Sequence, residues 1–348
     1  MSGFGLDERL VASMKLGRRA ALKAGMGALA AVGAPAIVQA QAGLKLPLTT
    51  ILPDASFHTI NARQFAADVK KATSGAVEID VKSGGELSFT GPEQFRAVRD
   101  GLVPMADILD TQQIGDHPIM GIEAIPFLCA SADELKVLHK HLRPEYEKVA
   151  LKNNQTILYM VPWPAQYLHL KTRAESVDGL KAIKIRVPDT NIQNMCAAIG
   201  MAPAPIPWDE TIAALSSGTV SGVATSAVSG VDGKLWEFLR FFHATHHAWS
   251  SQIVTINNDT WKKISPANRK AIVDLATKLA PGFWERSLQA DKDGARKLSE
   301  GGMQKVVVPE PMMVELRKRT APMVVAFCER VPAAEKPIKA YLAEMKRA

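Results

Sequence analysis

The chain has 348 residues, with 42 Lys and Arg against 35 Asp and Glu, a formal net charge of +7. That length supports two domains with separate cores. The positive excess is mild, and no cluster of Lys and Arg interleaves with aromatics, which excludes a nucleic-acid binder.

Residues 1–42 read as an export leader. Gly17-Arg18-Arg19 supplies a twin-arginine pair, a weakly apolar stretch rich in Ala and Gly follows, and Val38-Gln39-Ala40 and Ala40-Gln41-Ala42 offer small-residue cleavage sites. The apolar stretch is shorter than the roughly 20 residues of a membrane span and is interrupted by Pro35. Folded export by the twin-arginine route to the periplasm is expected, with cleavage near Ala40 or Ala42. The leader carries a net +3, so the exported chain keeps about +4.

Beyond the leader, strand and helix signals alternate, as in α/β domains. A strand is expected over 46–52 and a helix over 60–72, followed by a half-buried strand in which Val77, Ile79 and Val81 alternate with charged residues. Thr90-x-x-Glu93 is a capping box opening a helix that stops at Gly101. A strand over 106–109, a helix capped by Ser131-x-x-Glu134, and a strand over 157–161 complete this part. The chain leaves it near Pro162-Trp163-Pro164. In the second part, Ile183, Ile185 and Val187 alternate with Lys184 and Arg186, and Pro188 ends the strand. A helix over 208–215 closes at Gly218, a strand covers 220–225, and a strand over 249–256 returns to the first part. Ser265-Pro266 opens a long helix, which Pro281-Gly282 is expected to kink or break.

These signals give an α/β chain of two domains. Domain I takes residues 43–163 plus about 250–290, and domain II takes 164–249 plus about 291–348 with the C-terminal helices. Chain segments crossing between them imply a hinge and a cleft that closes around a small ligand. Cys129, Cys196 and Cys328 lie in apolar neighbourhoods and read as buried free thiols; one disulfide with a spare thiol is the other arrangement.

Catalytic signatures are missing: there is no Gly-x-Ser-x-Gly, no phosphate loop and no Gly-x-Gly-x-x-Gly after a strand. No enzyme activity and no cofactor are expected. His243, His246 and His247 have spacings of three and four but no acidic partner or cysteine pair, so no metal is expected there either.

One residue stands out. Arg186 sits at the end of a short strand that a helix-forming stretch follows, where ligands of open α/β sheets bind. A planar, permanently charged guanidinium suits a carboxylate held by two parallel hydrogen bonds. A structural salt bridge to an internal Asp or Glu is the competing role.

The run 180–222, reading LKAIKIRVPDTNIQNMCAAIGMAPAPIPWDETIAALSSGTVSG, resembles the extracytoplasmic solute-binding proteins of tripartite ATP-independent periplasmic (TRAP) transporters, the DctP-like family. Its Leu-Lys-x-x-Lys-Ile-Arg-Val-Pro, its Gly-Met-Ala-Pro and its Glu-x-x-x-Ala-Leu-x-x-Gly carry the likeness. The resemblance implies a periplasmic-binding-protein-like fold with a hinged interdomain cleft. It also implies an organic-acid ligand gripped by Arg186 and partners in the small and large TRAP membrane subunits. It places Trp208 beside the ligand, with core packing as the alternative. Thr225 falls where relatives have an asparagine, and His247 near the cleft rim or on the surface. Gln166 falls near a second arginine of some relatives, which implies preference for monocarboxylates. Trp163 and Tyr167 flank Gln166 and either stack on an aromatic acid or pack the hinge. Asp110, ending the third strand, either accepts hydrogen bonds from ligand hydroxyls or serves as a helix cap or loop anchor. Two other functions fit the same scaffold: a ligand sensor that presents its closed form to a receptor kinase, and a secreted enzyme.

Overall fold

The computed structural model describes residues 43–347; the leader expected over 1–42 lies outside them. The first elements are β1 (Leu44–Thr49), α1 (Phe57–Ala72), β2 (Val77–Lys82), α2 (Gly91–Arg99) and β3 (Met105–Leu109). Then come α3 (Ala132–Lys152), β4 (Gln155–Pro162), β5 (Gln166–Leu170), β6 (Lys184–Val187), α4 (Thr190–Ala198) and β7 (Ala202–Pro205). A 3₁₀ turn (Trp208–Glu210) leads into α5 (Thr211–Ser216), β8 (Gly222–Ser226), α6 (Ala227–Asp232), β9 (Phe241–His243) and β10 (Ser251–Asn257). The chain ends with α7 (Asn258–Lys263), α8 (Pro266–Glu300), β11 (Gln304–Val306), α9 (Glu310–Thr320), α10 (Pro322–Arg330) and α11 (Glu335–Glu344).

The local signals act as read. The Thr90 backbone N–H donates to Glu93 Oε2 at 2.9 Å, which closes the capping box on α2. Ser131 Oγ accepts from the Glu134 N–H at 3.2 Å and starts α3. Gly218, with φ +74°, takes the left-handed turn that ends α5. The stretch expected as one helix over 208–215 instead opens with the 3₁₀ turn.

Two sheets result. The first has the order β2-β1-β3-β10-β4, parallel among β2, β1 and β3 and antiparallel at β10 and β4. The second has the order β11-β9-β5-β8-β6-β7, with β8, β6 and β7 parallel. Both sheets are covered on both faces. In the first, Leu48, Phe65 and Val254 pack on one side, and Ile108, Leu142 and Tyr146 on the other. In the second, Ile185, Val187 and Met195 fill one side, and Val223, Phe242 and Leu298 the other. Each such side chain removed from water contributes about 1.5–3 kcal/mol.

Two expectations about the C-terminal part change. First, α8 runs unbroken for 35 residues through Pro281. Pro281 and Gly282 face solvent, while Ile272 and Phe283 anchor the helix in the first core and Leu298 in the second. Burial at both ends outweighs the one lost N–H, on the exposed side where helices tolerate bending. Second, the tail expected over 291–348 in domain II divides. Met312, Met313 and Leu316 of α9 join the second core, but Phe327, Ile338 and Tyr341 join the first against α3. Tyr341 fixes that docking by donating to Leu128 O and Glu134 Oε2, both at 2.9 Å.

Cys129 and Cys196 are buried free thiols, each pushed up to about 12 by burial; Cys328 is free and half-buried. Among the described residues no helix is long and apolar enough to cross a membrane.

Candidate functional site

The carboxyl ends of β1 and β3 and the start of antiparallel β10 put Thr50, Asp110 and Ser251 on one edge of the first sheet. The ends of β6 and β8 put Arg186 and Thr225 on the edge of the second. The two edges meet. Asn191, in the first turn of α4, donates from Nδ2 to Gly121 O at 2.9 Å, and the charge of Asp189 acts on both Arg186 and Asp110.

Arg186 is 5% exposed. Its Nε donates to Ile206 O at 2.8 Å, its Nη1 to Ala224 O at 3.4 Å, and its guanidinium carbon lies 5.5 Å from the centre of the Trp208 ring. Among the described residues no group accepts from Nη2 and no carboxylate lies within 4.0 Å. Burial lowers its pKa to about 10, with Asp189 opposing the shift, so the charge persists at neutral pH. Asp189, itself raised to about 6 by burial, spends its Oδ1 capping α4 through the Asn191 and Ile192 N–H groups at 2.8 and 3.0 Å.

Thr225 is buried and belongs to the same group. Arg186 pairs in register with Val223, and residues two apart on a strand share a face, so Thr225 lies on the guanidinium side. Trp208, 36% exposed, covers that side. Asp110 is fully buried: its Oδ1 accepts from the Thr111 N–H at 2.6 Å, and its Oδ2 has no partner among the described residues. Burial, followed by the charge of Glu123, holds its carboxyl well above the usual range.

One residue takes neither of the places expected for it, and Tyr167 takes the packing role. His247 is neither at a rim nor on the surface but fully buried, with Nδ1 2.8 Å from Thr245 Oγ1. Burial pushes its pKa down to about 3, so the packing admits only the neutral ring. Tyr167 has no free face for an aromatic acid. Its ring is walled by His169, Phe242 and His246 at 5.1–6.2 Å, and its hydroxyl donates to Asp291 of α8 at 3.1 Å. Gln166, half-buried, turns its Nε2 to Pro164 O at 3.4 Å within the crossing segment.

Trp163 is buried against His58 and Phe57, at 4.5 and 5.5 Å between ring centres, and its Nε1 donates to Gln252 Oε1 at 3.5 Å. His58 was not foreseen. It is 2% exposed, its Nε2 has no partner among the described residues, and burial holds it well below the usual imidazole range. Asp107, pushed up to about 7 by burial, and Glu123, bonded to Ser251 Oγ at 2.8 Å and His139 Nε2 at 2.9 Å, were also missed. No spacing in the chain marks these residues; only the fold brings them together.

His243 is tied to the backbone through Leu168 O at 3.2 Å and the Ala174 N–H at 3.0 Å. Among the described residues no group of three or more His, Cys, Asp or Glu is placed to hold a metal ion. A cavity of about 340 Å³ opens elsewhere, between Ser131, Trp249 and Lys292, and none of the Arg186 group lines it.

Comparison with known proteins agrees with this architecture. A solute-binding protein of Albidiferax ferrireducens is 27% identical over 189 residues, 53% of this chain and 55% of that one, so the match spans about half of that relative. DctP7 of Bordetella pertussis, an extracytoplasmic solute receptor solved binding pyroglutamic acid, superposes with a TM-score of 0.81 at 27% identity. The superposition covers 86% of this chain and 99% of that one. A TRAP solute-binding protein from a marine metagenome, solved with co-purified pyroglutamate, gives 0.80 at 25% identity, covering 86% and 98%. The two sheets thus form the two-domain periplasmic solute-binding fold of TRAP receptors. Residues 48–330 match the model of bacterial extracellular solute-binding protein family 7, DctP, and the chain belongs to that family.

Proposed function

We propose that this protein captures a small organic monocarboxylate in the periplasm and delivers it to the small and large membrane subunits of a TRAP transporter. The leader, with its twin-arginine pair and cleavage near Ala40 or Ala42, serves export. Domain I, with 43–163 and about 250–290, and domain II, with 164–249 and the chain from about 291, close on the ligand; α10 and α11 travel with domain I. Nothing in this function requires covalent chemistry.

The observation that carries the reading is Arg186, a buried cation with no internal carboxylate within 4.0 Å among the described residues. Burying an uncompensated charge costs several kcal/mol, and an entering carboxylate supplies the missing partner. Thr225 and Trp208 complete that end of the cleft, and Trp163 and Asp110 line the other. Gln166, with no charge to offer a second carboxylate, favours monocarboxylates over dicarboxylates. Pyroglutamate is the first candidate, because two solved relatives at 25% and 27% identity bind it.

A thermal-shift screen against organic acids tests this. Ligand at 100 times its dissociation constant stabilises by about 2.7 kcal/mol. Arg186→Ala is expected to weaken binding about 30-fold to several-thousand-fold, from the 2–5 kcal/mol cost of truncating a buried charged pair. Unchanged affinity in that variant would overturn the proposal.

A further inference from the structure

We infer that Asn191 is a positioning residue for ligand capture: its side-chain amide latches the second lobe to the first on closure and sets how long the acid is held. The inference rests on the capture-and-closure reading above and assigns the holding contact to a residue that does not touch the ligand.

Asn191 belongs to the second lobe, in the first turn of α4, whose Ile192 and Met195 fill the core around Ile185. Both of its side-chain partners belong to the first lobe. Its Nδ2 donates at 2.9 Å to the backbone oxygen of Gly121, which ends a 3₁₀ turn between Met120 and Ile122 of the first core. Its Oδ1 accepts at 3.4 Å from Nη2 of Arg330, the last residue of α10, whose Phe327 packs in that same core. Among the described residues no ion pair crosses between the lobes. Outside the crossing segments that carry Trp163 and Trp249, the side-chain hydrogen bonds that do cross are those two of Asn191.

The seam around Asn191 is built to part. A Cβ on Gly121 would lie 3.0 Å from Asn191 Nδ2, so amide and backbone meet with no side chain between them. Beside them Ile125, Pro126, Met323 and Phe327 leave a crevice of about 40 Å³ where a continuous core would be filled. Asn191 is 5% exposed with the lobes together. When they separate, the amide takes water in exchange, and the Gly121 oxygen keeps the Ala124 N–H at 3.2 Å. Opening therefore costs one hydrogen bond and exposes little apolar surface at this point. The bond contributes to the closed form alone, and it shifts the balance between open and closed by its own worth. Asn191 also follows the Asp189 cap at the end of β6, so the same turn that carries the latch carries Arg186 to the ligand.

The test uses the exported protein with L-pyroglutamate, and with pyruvate and D-glucuronate as further probes. Titration calorimetry gives the affinity and stopped-flow tryptophan fluorescence the rates. Asn191→Ala is expected to bind about two- to tenfold more weakly, the worth of one neutral hydrogen bond. The loss falls on release, with association within about twofold of wild type, because docking precedes closure. The urea midpoint of the ligand-free protein stays unchanged, since the open form does not make the bond. Asn191→Asp keeps an acceptor for Arg330 but turns an oxygen toward Gly121 O, and is expected to bind more weakly than Asn191→Ala. Hydrogen exchange of wild type needs no variant: residues 118–123 and the first turn of α4 are expected to exchange more slowly with ligand bound. Release as slow as wild type, a lowered ligand-free urea midpoint, or equal exchange with and without ligand overturns the inference. Arg186→Ala separates the two claims: if it loses binding while Asn191→Ala releases no faster than wild type, only Asn191 has been misread. If none of the three acids binds wild type, the carboxylate reading fails and the latch falls with it.

Discussion

Arg186 lies beneath the indole of Trp208, its guanidinium carbon 5.5 Å from the ring centre, while its Nε is tied to Ile206 O two residues earlier in the chain than that indole. The backbone bond holds the plane of the fork, and the ring shields it. Gly233 leaves the ring room, since a Cβ there would lie 3.3 Å from two indole carbons, a tight contact. A cation so shielded loses water without gaining an internal anion, which is the condition for a tight carboxylate site.

Trp208→Ala removes the ring and opens the guanidinium to water. A cation–π contact is worth about 0.5–2 kcal/mol, so ligand affinity is expected to fall about two- to thirtyfold, with Trp208→Phe losing less. Titration calorimetry of both variants reads this. Equal affinity in the alanine variant would make the indole mere core packing.

Arg186→Lys tests the fork itself. An ammonium keeps the charge but cannot make two parallel hydrogen bonds to a carboxylate while another nitrogen holds Ile206 O. Binding is expected to fall nearly as far as in Arg186→Ala, with the circular dichroism spectrum unchanged. Affinity close to wild type would rule out the bidentate grip.

Much of this arrangement was legible in the chain, for local reasons. Thr90 and Glu93 announce a helix start, Val77 to Val81 alternate as a strand must, and Lys184 to Pro188 place an arginine where a strand ends. What escaped was set by distant packing. The burial of His247 depends on the segment that carries Phe127, whose N–H donates to His247 O at 2.8 Å. The company of Asp110 depends on Glu123 and Asp189, which no spacing links to it. The docking of Tyr341 on α3 joins residues 207 positions apart.

Pro281 offers a stability test of the same lesson. It sits within α8 on the exposed face, so replacing it disturbs no core contact. Restoring the N–H and relieving the ring clash is worth up to about 3 kcal/mol, less about 0.4–1 kcal/mol for the freer unfolded chain. Pro281→Ala is therefore expected to stabilise by about 1–2 kcal/mol in urea unfolding. A destabilised variant would mean that the proline shapes a bend the two cores require.

His247 should make the protein sensitive to acid, and the sign follows from its burial. Its folded pKa is pushed down to about 3, against about 6.5 for an exposed imidazole. The unfolded chain therefore binds the proton first, and stability present above about pH 6.5 is lost as the pH falls toward 3. The slope approaches 1.4 kcal/mol per pH unit for one such group. Asp107 works in the opposite direction: raised to about 7 when folded, it adds stability as the pH falls from 7 toward 4. The wild-type curve is thus flattened, and a difference between variants isolates the histidine. His247→Asn, whose amide can keep the bond to Thr245 Oγ1, is expected to lose about 1 kcal/mol less than wild type between pH 6.5 and 5.5. Unfolding by urea at the two pH values measures it, and parallel losses in both proteins would show that His247 accepts its proton without unfolding the chain.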